Sequence, residues 1–155
     1  MEKTVSESRI EQVYQIRPEH LNGAGRLFGG KLMEWIDELA ALVGIRHSQH
    51  NVITASVDNL RFIRGAYQSD LIVLIGRITY VGNTSMEVRV DTYIESFEGI
   101  RKPINRAYLT LVAVDKAGNP VKVPGLIVQT ESERAEWEAG IRRCSMRRQR
   151  KEEGF

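Results

Sequence analysis

The chain has 155 residues, 42% of them hydrophobic, which supports one globular domain with a real core and excludes two domains or a disordered chain. A formal net charge of +2 is too small to demand a nucleic-acid partner, and the one cysteine, Cys144, excludes an intramolecular disulfide or a cysteine-based metal cluster. No N-terminal run resembles a signal peptide and no stretch reaches the roughly 18 apolar residues of a membrane span, so the expectation is a soluble, cytoplasmic protein with no membrane partner.

Residues 1–9 are polar and predict a frayed end, and 10–16 predict a first strand stopped near Pro18. The stretch NGAGRLFGGKLMEWID, residues 22–37, is a glycine-rich turn running into a long helix that begins at Gly29 and Gly30. Backbone N–H groups without helical partners point out of such an end. On a wheel advancing about 100° per residue, Phe28, Leu32, Trp35, Ile36, Leu39 and Val43 form a broad apolar face, and Lys31, Glu34 and Glu38 a narrow polar stripe. Asp37 belongs to neither group. It shares an arc with Gly30, Met33, Ala40, Ala41 and Gly44, where a carboxylate loses hydration unless it is paired or used. An active-site carboxylate and a structural one bonded to a neighbouring subunit both satisfy that condition.

The helix is expected to fade over 46–51, and residues 52–63, VITASVDNLRFI, alternate as a second strand. Residues 71–81 predict a longer apolar strand, and Gly82-Asn83 a hairpin turn. In the next strand Met86, Val88, Val90, Thr92 and Ile94 alternate with Glu87, Arg89, Asp91, Tyr93 and Glu95, the pattern of one buried and one wet face. Residues 108–114 form another β-rich run, a short apolar run ends at Val128, and an exposed helix starts near Glu131. Antiparallel pairing through hairpin-length links predicts an α+β fold in which a curled sheet holds the helix on its concave face. The remaining face or edge then seeks another subunit.

The segments NGAGRLFGGKLMEWIDELAA, VITASVDNLRFI, GNTSMEVRV and AYLTLVAVDKAGNPVKVP, in that order, resemble the single-hotdog acyl-CoA thioesterases over residues 8–128. The resemblance implies the hotdog fold, an antiparallel five-stranded sheet around a central helix, here with a C-terminal helical tail over about 131–152. It implies hydrolysis of fatty acyl-CoA to free fatty acid and coenzyme A, with no metal and no cofactor beyond the coenzyme A of substrate and product. The alternative is a hotdog sensor or carrier that binds acyl-CoA with little turnover. Self-association as a dimer, then a tetramer or hexamer, is implied too.

By the same resemblance Asn22 and Asp37 are the catalytic residues and meet across a dimer interface. Thioester hydrolysis needs an activated water or a nucleophile and donors for the developing oxyanion. Asp37 fits general base or direct nucleophile, the N–H groups near Gly29 and Gly30 fit the oxyanion, and Asn22 fits a water- or substrate-holding amide. An asparagine before glycines is also an ordinary turn former. Thr54 and Ser56, alternating on the second strand, are expected to face the thioester. Arg64, Thr84 and Ser85 are expected to touch coenzyme A. The chain departs from the family where Gly65 and Ser69 replace a usual proline and glycine, and where Asn83 replaces a usual arginine.

His47 and His50 lack the further ligands of a metal site, and His20 reads as a surface histidine. GGKL lacks the Lys-Ser or Lys-Thr of a phosphate-binding loop, and no histidine partners Ser56 for serine-hydrolase chemistry. In the C-terminal helix Trp137, Ile141 and Cys144 share a stripe that could dock on the body, while the six basic residues over 142–151 read first as a solvated helix face and second as help in attracting the coenzyme A phosphates. Base-stacking aromatics are absent there, which sets nucleic acid aside.

Overall fold

The computed structural model describes residues 1–58 and 60–155. In chain order come β1 (Glu2–Thr4), α1 (Val5–Ser8), β2 (Ile10–Gln15), a 3-10 turn (Pro18–His20), α2 (Gly29–Ser48), β3 (Asn51–Asp58), β4 (Leu71–Val81), β5 (Ser85–Glu95), β6 (Arg101–Val114), β7 (Gly125–Ile127) and α3 (Glu131–Glu153). Strands β2-β4-β5-β6-β3 form one antiparallel sheet in that order, curled around α2. Leu32, Trp35, Ile36, Leu39, Ala40 and Val43 bury the helix face that the wheel predicts. Close approach fixes the packing at Gly44, where an added Cβ would lie 2.8 Å from Leu111 Cδ1. The helix ends at Ser48 because Gln49 turns left-handed, φ 61°, and its N–H returns to the Ile45 carbonyl.

The N-terminal nine residues are ordered, contrary to the frayed end expected from their polarity. Thr4 donates its backbone N–H to Glu7 Oε2 at 2.6 Å, opening the short α1, and Val5 and Ser8 are buried. β1 then pairs in parallel with β7, Glu2 opposite Gly125 and Thr4 opposite Ile127, so the two ends of the chain close one side of the core. His47, fully buried, donates Nε2–H to the Pro124 carbonyl at 2.9 Å and ties α2 to this clasp. Short-range composition misses such an element because its partner lies more than a hundred residues away.

Two strand boundaries also differ from expectation. β3 stops at Asp58 instead of continuing to residue 63; of the predicted run, Asn59 lies outside the described residues. The Arg61 carbonyl instead accepts from Asn105 Nδ2, and Arg64 Nη1 donates to the Pro103 carbonyl at 2.6 Å, pinning the segment over the sheet as a loop. β6 starts at Arg101, seven residues before the β-rich run at 108, and absorbs Pro103 at a register shift against β5 between Thr92 and Tyr93.

The largest correction concerns the outer sheet face and α3. The polar residues at the centre of β5 are not wet: Glu87 is 1% exposed, with α3 lying across it, and Asp91 is 5% exposed beneath Arg77, Arg89 and Arg106. Trp137 packs on Tyr80 with ring centroids 4.5 Å apart, and an added Cβ on Gly140 would lie 2.8 Å from Tyr80 Cβ. Glu87 accepts from Thr79 Oγ1 at 2.7 Å, from Arg143 at 2.8 and 3.0 Å, and from Arg147 at 3.0 Å. Glu136 takes Arg89 at 2.7 Å and the Tyr108 hydroxyl at 3.1 Å, and Arg143 lies 3.8 Å over the Tyr108 ring. Alternation signalled a polar face, and that face is buried by matching the charges of β5 with those of α3.

Two outcomes follow. Arg143→Ala leaves Glu87 buried with a single arginine, and is expected to cost about 2–3 kcal/mol in urea unfolding. Burial pushes the His47 imidazole below its ordinary value of 6.5, against the opposing pull of the Pro124 carbonyl. The unfolded chain therefore takes up a proton that the folded one resists, and stability falls as pH drops from about 6.5 towards the lowered folded value. In His47→Gln that acid limb should flatten, read as a smaller shift in urea midpoint between about pH 7.5 and about pH 5.

Candidate active site

Asp37 projects from the middle of α2 and is exposed, so a single copy does not impose the dehydration anticipated for it. The Thr54 hydroxyl donates to Asp37 Oδ1 at 2.6 Å across the α2–β3 boundary. Oδ2 accepts no hydrogen bond among the described residues, which leaves it open to water or substrate. Apolar side chains surround this boundary without cover: Met33 is 45% exposed, and on the strand that carries Thr54, Ile53 and Val57 are 53% and 40% exposed. A carboxylate on an apolar strip along a sheet edge has the makings of a site completed by a second copy.

Asn22 lies elsewhere, in the turn before α2. Its Oδ1 accepts the N–H groups of Ala24 at 2.9 Å and Arg26 at 3.2 Å, so the side chain does build the turn. Its Nδ2 has no partner among the described residues and is available to a ligand. Asn22 lines a cavity of about 390 Å³ together with Gly29, Arg64, Phe62 and Ile63, and Asp37 is not among its walls. Gly30 opens the helix beside the Phe28 ring, which comes within 2.6 Å of where a Cβ would be, so any side chain here would displace the ring. Phe28 itself is 55% exposed, off the buried face on which the wheel put it.

Thr54 and Ser56 do not share a face. A β-bulge between them switches the register, so Thr54 lies opposite Leu111 of the core while Ser56 lies opposite Thr110 of the outer face. Ser56 and Ser85 instead line a cavity of about 560 Å³ beneath the C-terminal end of α3, beside Cys144 and Arg147. Thr84 sits in the β4–β5 turn, its carbonyl taken by the Ala113 N–H at 3.0 Å. Apart from Gly30 and Thr84, the predicted residues thus fall into three groups: Asp37 with Thr54, Asn22 with Gly29 and Arg64, and Ser56 with Ser85. Sequence reasoning missed Phe62 and Ile63 as cavity walls because it assigned them to a strand. The basic tail is half solvated, as read, at the exposed Arg142, Arg148 and Lys151, and half spent on the sheet, where Arg147 and Arg150 hold Asp58 at 3.1 and 2.8 Å and Arg143 holds Glu87.

His20 is half-buried, not a free surface histidine. Its Nδ1 accepts the Arg17 N–H at 3.0 Å and its ring meets Trp35 edge-on at 5.0 Å, while Tyr14 stacks on the same Trp35 at 4.4 Å. His47 and His50 are both engaged by backbone carbonyls, those of Pro124 and Ser48.

A helix cradled by a five-stranded sheet, with a carboxylate on its open side and a glycine turn at its head, coincides with what known families have built. Residues 24–96 match the model of the thioesterase superfamily. The acyl-CoA thioester hydrolase YkhA of Bacillus subtilis, itself uncharacterized, is 36% identical over 146 residues, 94% of this chain and 85% of that protein. The cytosolic acyl coenzyme A thioester hydrolase of Rattus norvegicus is 33% identical over 141 residues, and there the chain spans only 37% of the relative's length. The chain belongs to the thioesterase superfamily. Within it, the chain belongs with the hotdog acyl-CoA thioester hydrolases, as the resemblance implied.

Solved structures agree. An acyl-CoA hydrolase from Staphylococcus aureus, in complex with butyryl coenzyme A, coenzyme A and coenzyme A disulfide, superposes with a TM-score of 0.91 at 32% identity, covering 99% of this chain and 94% of that one. Single alanine variants of an asparagine, an aspartate and a threonine of that enzyme have also been solved. A hexameric acyl-CoA thioesterase superposes with a TM-score of 0.89 at 37% identity, each chain covered to 96%.

If a second copy covers the strip around Asp37, Met33→Glu should bury an unpaired charge in that interface and weaken self-association by about a hundredfold or more. Light scattering across a dilution series would read this; unchanged assembly would place the interface elsewhere.

Proposed function

We propose that the protein hydrolyses fatty acyl-CoA to free fatty acid and coenzyme A at sites shared between two copies, with Asp37 of one copy facing Asn22 of the other. The observation that carries this reading is the Asp37 carboxylate. One oxygen is held by the Thr54 hydroxyl at 2.6 Å and the other is open, on an exposed apolar strip in a chain of this family. The asparagine, aspartate and threonine of the Staphylococcus aureus variants are spaced along their chain as Asn22, Asp37 and Thr54 are here, which supports assigning the three to one site.

In the water route Asp37 takes a proton from water, whose oxygen forms a bond to the thioester carbon. The tetrahedral intermediate collapses, the C–S bond breaks with its electron pair going to sulfur, and the thiolate recovers a proton. In the nucleophile route Asp37 oxygen forms that first bond, the C–S bond then breaks with coenzyme A leaving as the thiolate that takes up a proton, and water opens the resulting anhydride to free acid and the Asp37 carboxylate. Both need donors at the oxyanion, which the N–H groups of Gly29 and Gly30 at the head of α2 and the Asn22 amide supply. Covering the strip by a second copy desolvates Asp37 and raises the value of these interactions. The chemistry requires no metal or cofactor, and homo-oligomers are its working form.

Asp37→Asn keeps size while removing basicity and nucleophilicity, so thiol release from acyl-CoA should drop about a hundredfold or more at unchanged melting temperature and oligomer size. Asn22→Ala should lose less. Because each site takes Asp37 and Asn22 from different copies, unfolding and reassembling the two variants together should restore activity above either alone: a mixed pair keeps one intact site. Absence of recovery in mixed oligomers would refute the shared site. Tight acyl-CoA binding without thiol release by the wild type would favour the sensor reading.

A further inference from the structure

The cavity of about 560 Å³ beneath the C-terminal end of α3 is larger than the Asn22 cavity, and nothing in the proposed hydrolysis uses it. Its helical wall is a single stripe, because Cys144, Arg148 and Lys151 recur at i, i+4 and i+7. Phe155 adds a ring to the lining, its N–H returning to the Arg150 carbonyl at 3.0 Å after the left-handed turn at Gly154. Arg147 and Arg150 also reach the cavity, but Asp58 and Glu87 hold them. Arg148 and Lys151 are exposed and have no ion-pair partner among the described residues.

These features select an occupant. Ala55, Tyr80, Cys144 and Phe155 offer apolar surface, and two uncommitted cations stand beside it. A phosphate-rich ligand would lose hydration against those walls without gaining a cation for each charge. A neutral lipid would leave Arg148 and Lys151 unused. A long-chain carboxylate meets both conditions, with its chain on the apolar walls and its one charge in a forked contact with Arg148 beside Lys151. The cavity is also tied to the catalytic carboxylate. Ala55, the extra residue of the β3 bulge, lines it, and Thr54 just before donates to Asp37 Oδ1 at 2.6 Å. A chain pressed against Ala55 shifts the bulge, and Thr54 moves with it.

We propose that this cavity binds the long-chain carboxylic acid that hydrolysis releases, and that its occupation slows turnover by drawing the Thr54 hydroxyl away from Asp37. The slowing rests on the thioesterase reading; the binding stands on the cavity and its cations alone.

Calorimetry with dodecanoate below its micellar concentration, together with thiol-release kinetics, tests this. In the wild type dodecanoate should bind, and at saturation should lower kcat for acyl-CoA about tenfold, beyond any competitive effect on KM. Replacing both exposed cations, Arg148→Gln with Lys151→Gln, should raise the dodecanoate needed for that loss about tenfold or more, while uninhibited kcat/KM stays within about twofold of wild type. Cys144→Phe, which fills the cavity, should abolish the loss as well, with melting measured on both variants to check the fold. Dodecanol, which has the chain without the charge, and acetate, which has the charge without the chain, should leave kcat unchanged. Purely competitive inhibition would overturn the assignment by putting the acid at the catalytic site alone, and so would a fall in kcat that survives in both variants. A second copy seated in the cavity would equally overturn it, and would show as smaller oligomers in the paired variant with no dodecanoate heat in the wild type. Failure of the wild type to release thiol from acyl-CoA sinks the thioesterase reading instead, and the dodecanoate heats of wild type and paired variant then decide the binding on their own.

Discussion

Everything in this fold depends on how completely the sheet encloses α2. Gly44 lets the helix lie against Leu111, and Leu32, Ile36, Leu39 and Val43 are sealed almost entirely from solvent. A helix packed on so wide a face cannot rotate or slide without opening cavities, each worth several kcal/mol. The uncovered remainder is therefore a fixed strip, and the carboxylate on it is held in register with the edge strand β3 to within one hydrogen bond, from Thr54 to Asp37. The precision of the site is inherited from the core, while its incompleteness is inherited from the sheet having an edge.

The same sheet serves a second constraint on its outer face. There α3 is docked through charge, with modest apolar support from Trp137 on Tyr80. Arg147 reaches both Asp58 at the end of β3 and Glu87 on β5, and so ties an edge strand to the sheet centre across β6. Matched ions of this kind contribute little stability over an apolar layer of the same shape, but they penalise a misplaced helix severely, since any slip leaves a carboxylate buried without its arginine. Register of α3 is set by that penalty and by Gly140, where an added Cβ would lie 2.8 Å from Tyr80 Cβ and 3.3 Å from Glu87 Oε1.

Much of this was legible in the sequence where the signal is local. The bounds of β4 and the ends of α2 follow from apolar periodicity and turn residues, and the placement of Asn22, Gly29 and Asp37 on a turn and helix follows from their neighbours. What was illegible depends on partners distant along the chain. The polar stretch before Arg9 becomes structure only because β7 is there to pair with β1. The charged alternation in β5 reads as a wet face until an oppositely charged helix from the end of the chain covers it. The bulge in β3 leaves no local mark at all: Thr54 and Ser56 keep the two-residue spacing of a shared face, and only the shift in pairing against β6 separates them.

That separation changes where the substrate's charge should be sought. The basic tail attracted attention because six cations lie close together in sequence, yet Arg143, Arg147 and Arg150 are engaged by Glu87, Glu136 and Asp58, on the sheet face away from Asp37. Across the described walls of the Asn22 cavity, by contrast, Arg26 and Arg64 face no carboxylate, although nothing in their spacing marks them as a cluster. Charge that is paired within the fold has little field left for a ligand, and at physiological ionic strength a distant patch is screened within about 8 Å. Arg26 and Arg64, gathered by the fold beside the helix head, therefore keep more field for a polyanionic ligand than the three arginines of the tail already spent on holding α3.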